Sequence, residues 1–181
     1  MTLGPILRRA AAAAVLSLAA TSGADAQAQQ ILASPRDSAM QMIGGAHVMV
    51  DYSRPSKRGR QIFGGLVPYD QVWRTGANAA TTFVTSRDLV VGGTSIPAGT
   101  YSLYTLPSAK GWKLIINKQA GQWGTEYNES QDLARVDLKV ETVRAPVEKF
   151  TIAIEPQGTT GGTLALSWDT TRASVPFTIK Q

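Results

Sequence analysis

Residues 50–82, VDYSRPSKRGRQIFGGLVPYDQVWRTGANAATT, crowd Arg54, Lys57, Arg58, Arg60 and Arg74 against only Asp51 and Asp70. Tyr52, Phe63, Tyr69 and Trp73 are interleaved with these charges. A guanidinium presents a planar fork of N–H donors that matches a carboxylate or phosphate. An aromatic ring offers a flat face to a sugar or to a guanidinium. Tyr52, Arg54, Arg58, Arg60, Trp73, Arg74 and Asn78 are therefore candidate ligand-binding residues for an anionic or sugar-like molecule. The alternative is scaffold. Phe63, Leu66, Val72 and Trp73 would close one end of a β-fold, Arg74 and Asn78 would satisfy loop carbonyls, and Lys57, Arg58 and Arg60 would be solvated.

Catalytic groups are sparse elsewhere. His47 is the only histidine and cysteine is absent, so a metal site built from several His or from Cys is excluded. No metal or cofactor is expected. A Ser-His-Asp triad would have to use His47 as its base, and nothing near it selects a nucleophile. The glycines around Ser95 in GGTSIPAG lack the spacing of a nucleophile elbow, and no P-loop or dinucleotide fingerprint is found. Carboxylates remain. Asp51, Asp70, Glu126, Glu129 and Asp132 lie in or beside irregular segments, and Asp51 or Asp70 is the candidate acid/base near the Arg-rich stretch. The tripeptide Asn128–Ser130 matches a glycosylation sequon, read as a chance match.

The elements that would position these residues begin after a leader. Arg8 and Arg9, the apolar AAAAVLSLAA and the small-x-small ADA at residues 24–26 form a signal-peptide pattern. Cleavage is expected after Ala26, and the apolar run is shorter than the roughly 20 residues that span a bilayer. The protein is expected in the periplasm or outside the cell. Loss of two arginines and Asp25 with the leader takes the formal charge from +5 to +4. A mildly basic exported chain suits anionic envelope material, and nucleic acid is not an expected partner. Residues 27–44 read as a flexible leader, and residues 45–181 as one domain large enough to stand on its own core.

From residue 81 onward apolar and polar residues alternate. Val136, Leu138 and Val140 oppose Asp137, Lys139 and Glu141, as in a half-buried strand. Gly92–Gly93 reads as a two-residue hairpin turn, and residues 158–162 as another. The 112–118 strand reads as buried on both faces near its middle, and residues 121–134 as a long loop with one helical turn. About ten short strands without a helical period predict an all-β antiparallel sandwich, with barrel-like closure as its variant. Pro176 predicts an edge position for the last strand.

The blocks DYSRPSKRGRQIFGGLVPYDQVWRTGANAAT, IPAGTYSLYTLP, WKLIINK, QWGTEYN and DLARV together resemble the DUF2911 family, a bacterial group of exported domains named for their unknown function. The resemblance runs from Gly45 to Lys180 and implies no activity, substrate or catalytic residue. Three readings therefore stand: a non-catalytic binding or structural module, a hydrolase or isomerase acting on an envelope carbohydrate with Arg74 stabilising negative charge, and a protein-binding surface rich in Trp, Tyr and Arg.

Overall fold

A computed structural model describes Met1 and residues 33–180. The leader, its cleavage point and residues 27–32 lie outside the described residues. Nine strands follow one another: β1 (Arg36–Ile43), β2 (Ala46–Ser53), β3 (Thr81–Thr85), β4 (Leu89–Val91), β5 (Thr94–Ile96), β6 (Gly99–Leu106), β7 (Trp112–Asn117), β8 (Asp132–Gln157) and β9 (Gly161–Ile179). All pairings are antiparallel, in the order β1-β2-β3-β6-β7-β8-β9-β4-β5. The all-β class expected from the alternation is the observed one, and the sheet is not closed into a barrel.

One strand carries the chain from one layer to the other. β8 pairs with β7 as far as Leu138 and with β9 from Lys139 onward. Val48, Val50, Phe83, Leu103, Leu114 and Ile116 from the first layer share a core with Ile152, Ile154, Leu164, Leu166 and Phe177 from the second. Each strand supplies alternate apolar residues to that core because successive side chains point to opposite faces. Ile115 is the exception expected from its apolar run. It packs outward with Ala80 and Tyr104 in a second cluster, so β7 is buried on both faces.

Several local expectations are corrected. Arg36–Ile43, expected within the flexible leader, is β1. Gly44 and Gly45 (φ 54° and 76°) form a two-residue turn that pairs it with β2. The strand lacks alternation because it is an edge strand, exposed over most of its length. The expected short strands near 135–141 and 147–156 run on as β8, and those near 162–170 and 173–180 as β9. Register shifts between Thr142, Val147 and Thr151 bend the ribbon in place of a turn, and Pro146 falls inside that irregularity, where it removes no ladder bond. β9 is not an edge strand. It lies between β8 and β4, and Pro176 is accommodated just past the end of the β4 ladder, where its carbonyl accepts the Gly92 N–H at 3.0 Å. The edges are β1 and β5. The bend brings the end of β9 back to its start, with Ile179 N–H donating to Thr160 O at 2.7 Å.

Residues 54–80 contain no named strand. They are held at one end of the sandwich by reciprocal Trp73–Thr105 backbone bonds of 2.8 and 2.9 Å. Ile62 and Val67 plug the core from this side, each 1% exposed. The expected helical turn in the 121–134 loop is a 3-10 turn, Glu129–Gln131. Among the described residues no helix is long and apolar enough to cross a membrane.

Candidate functional site

The loop encloses a cleft of about 300 Å³. Its floor is aromatic. Trp73 stacks on Trp168 with ring centroids 5.7 Å apart and planes 18° apart. Phe150 and Phe63 meet Trp73 edge-on at 5.0 and 6.1 Å. Trp168, 1% exposed, donates from its indole nitrogen to Glu148 O at 3.2 Å, which fixes the ring. Pro55, Leu66 and Val67 complete the apolar wall, and Ala33 and Ser34 form a lip.

Arg58, Arg60 and Arg74 line this cleft, and among the described residues no carboxylate does. Their states differ. Arg60 is committed to its own loop, donating to Lys57 O at 3.0 Å and Ser56 O at 2.6 Å. Arg58 is exposed. Its guanidinium makes one long bond, 3.5 Å, to Ala33 O, while its backbone N–H donates to the Glu148 carboxylate at 2.9 Å. Arg74 is half-buried, and its guanidinium has no hydrogen-bond partner among the described residues. The three cations are held over an apolar floor where an anion would meet less competition from water.

The geometry of Arg74 is set by its neighbours. Thr75 is fully buried at φ 52°, a left-handed conformation costly for a β-branched residue. Hydrogen bonds hold it there: its hydroxyl bonds Trp73 O and Thr105 Oγ1, and its carbonyl accepts Thr81 Oγ1 at 2.7 Å. The Arg74 side chain passes over Gly124, where a Cβ would collide with Arg74 Cδ and stand 2.6 Å from Asn78 O. Beyond Arg74 lies a shallower depression of about 240 Å³, lined by Val72, Tyr104, Gly124, Thr125 and Tyr127. Burial pushes the Tyr104 phenol up, and burial with a hydrogen bond to Asp132 pushes that of Tyr127 up to about 12. Both are therefore neutral, Tyr127 donating to Asp132 at 2.6 Å.

The remaining sequence candidates lie elsewhere. Tyr52, 2% exposed, is a core residue whose hydroxyl accepts Ile152 N–H at 2.9 Å. Burial raises its pKa. Arg54, just past the end of β2, ties β8 to β1, bonding Phe150 O at 3.0 Å, Thr151 Oγ1 at 2.7 Å and the Asp37 carboxylate at 2.9 Å. Asn78 sits outside the cleft at φ 60°, with its amide 3.5 Å from Ser53 Oγ. Lys57 is paired with Asp169 at 2.6 Å rather than solvated. Asp51 is paired with Arg36 on the β1–β2 face, and Asp70 is an exposed turn residue at φ 59°. Neither reaches the cleft. Glu129 and Asp132 are both bonded to Arg135, and Glu126, between Thr125 and Tyr127 of the neighbouring depression, does not line the cleft. Among the described residues no group of three or more His, Cys, Asp or Glu converges.

Trp168 is the aromatic lining residue that sequence reading missed. It lies in an alternating strand segment almost a hundred residues from Trp73, with no local signal of a second role.

No curated protein and no solved structure matches the chain. The family model described as "Protein of unknown function (DUF2911)" matches residues 34–177, and the chain belongs to that family.

Proposed function

We propose that this DUF2911 protein binds a small organic anion without transforming it, in the cleft between the 54–80 loop and the end of the sandwich. The observation that carries the reading is Arg74: a half-buried guanidinium with no hydrogen-bond partner among the described residues, beside Arg58 and Arg60, above a stacked Trp73–Trp168 floor. The arginines would bind phosphate or carboxylate, and the half-buried Trp73 indole, backed by Trp168, a flat apolar or sugar face. A cleft near the lower end of the usual range of ligand pockets, about 300–1,000 Å³, suits one ring bearing one anionic group. The basic, apolar and small-residue pattern at the N-terminus supports export, which makes anionic envelope saccharides the preferred ligand class. The hydrolase or isomerase alternative has no carboxylate among the described residues of the cleft to act as base.

Phenyl phosphate is the direct probe, because it carries one ring and one dianion. Tryptophan fluorescence should change saturably with phenyl phosphate and not with methyl glucoside, and no inorganic phosphate should be released. Absence of saturable binding by phenyl phosphate and by benzoate would remove the proposal. Steady phosphate release would replace it with a catalytic one.

A further inference from the structure

The β1–β2 hairpin presents a second set of ligating atoms, unrelated to the cleft. Its Gly44–Gly45 turn sets the register, pairing Met42 with His47 and Met40 with Met49. Directly paired residues of an antiparallel ladder share a face, with Cβ atoms about 4.5–5.5 Å apart. Val48 and Val50 point into the core, so His47 and Met49 point outward. The outer face therefore carries three of the four methionines in the chain and its only histidine. Met40 and Met42 are 57% and 65% exposed, so their sulfurs are open to solvent. His47 Nε2 stands 2.7 Å from the Met40 sulfur, so an imidazole nitrogen and a thioether already converge.

We propose that Met40, Met42, Met49 and His47 form a binding site for a soft monovalent metal ion, Cu(I), with Ag(I) as its redox-silent equivalent. Thioether sulfur selects Cu(I) over hard divalent cations, and imidazole is a good copper ligand. The exclusion of metal sites built from several histidines or from cysteine does not reach thioethers. The donors are neutral, which suits a singly charged ion. The nearest carboxylate along this face among the described residues, Asp51, is paired with Arg36, which disfavours Ca²⁺ or Mg²⁺ there. Methionine has three rotatable side-chain bonds, so the three sulfurs can close on an ion beside His47 without moving the hairpin. Met40 lies six residues along the chain from Ser34 at the cleft lip, at most about 20 Å of extended chain, and none of the four ligating residues lines the cleft, so either site can exist without the other.

The test uses the purified full chain, kept anaerobic with ascorbate and offered Cu(I) as its coloured bicinchoninate complex. One Cu(I) per chain should be withdrawn, and Zn(II) should not compete. The Met40→Leu/Met42→Leu variant changes only exposed side chains. It should keep its melting temperature and lose affinity by more than tenfold, since even outer-layer partners of metal ligands are worth roughly tenfold. In methyl NMR with Ag(I), the Met40, Met42 and Met49 methyls should shift together while Met1 does not. Failure of excess protein to withdraw Cu(I), unchanged affinity in the double variant, or shifts confined to Met1 would each overturn the site.

Discussion

Arg74→Gln separates a binding site from scaffold. Among the described residues the Arg74 guanidinium has no hydrogen bond to lose, whereas that of Arg60 already serves two carbonyls and that of Arg58 only one at 3.5 Å. A unit charge pair about 4 Å apart interacts by about 4 kcal/mol at an effective dielectric near 20. Desolvation reduces this, and hydrogen bonds to charged groups contribute about 1.5–3 kcal/mol net. Arg74→Gln should therefore weaken phenyl phosphate binding about 10- to 150-fold, at 1.4 kcal/mol per factor of ten. It should leave the melting temperature nearly unchanged. Arg58→Gln and Arg60→Gln should cost less, and their contribution should fade as salt shortens the screening length from about 10 Å at 0.1 M to about 3 Å at 1 M. The half-buried Arg74 should keep more of its effect. Fluorescence or calorimetric titrations at the two salt concentrations read all three variants. Equal losses for the three arginines, or a large fall in stability with no loss of binding for Arg74→Gln, would refute the reasoning.

Tyr52→Phe should act on stability alone. It leaves the buried Ile152 N–H without its 2.9 Å acceptor, at a cost of about 2 kcal/mol. For a chain of this size that is a fall of about 4–8 °C in melting temperature, and weaker phenyl phosphate binding would contradict the core assignment. Gly124→Ala keeps every cleft side chain yet drives a methyl into Arg74 and Asn78 O. It should cost about 1–3 kcal/mol in denaturant titration and weaken the same probe, and a variant as tight as the parent would mean that Arg74 need not be held where it is. Tyr127 holds its proton more tightly folded than unfolded, through burial and then its bond to Asp132, which push it up from 10.0 to about 12. The resulting stabilisation is full below pH 10 and is lost as pH rises through about 12. Urea unfolding across that window should therefore fall less steeply for Tyr127→Phe, and identical slopes would count against the effect.

Much of the architecture was legible locally. Alternation marked Arg135–Glu141 and its neighbours as strands, and Gly92–Gly93 marked the β4–β5 turn. The apolar run at Leu114–Ile116 marked a strand buried on both sides. These features need only a side-chain period and a backbone preference. The same turn chemistry stood at Gly44–Gly45, but β1 was missed because an exposed edge strand has no apolar period to show. The length of β8 and β9 was missed because a bulge and a turn disturb alternation alike, and only the partner strand tells them apart.

The Arg-rich stretch was identifiable as a site candidate, since its composition exceeds what closing a sandwich requires. Its membership was not. Tyr52, Arg54, Arg58, Arg60, Trp73, Arg74 and Asn78 are close in the chain, but only Arg58, Arg60, Trp73 and Arg74 line the cleft. Tyr52 and Arg54 were taken by β8, through bonds to Ile152, Phe150 and Thr151 that span about a hundred residues of chain. Trp168 joined from the opposite end of the domain. The sequence by itself determined which side chains could bind an anion, because charge, planarity and hydrogen-bonding capacity are covalent properties. Tertiary structure alone decided which guanidinium stayed free to do so, because the folded chain satisfies its own buried carbonyls and carboxylates first, and a cation remains available only where packing leaves it without such a partner.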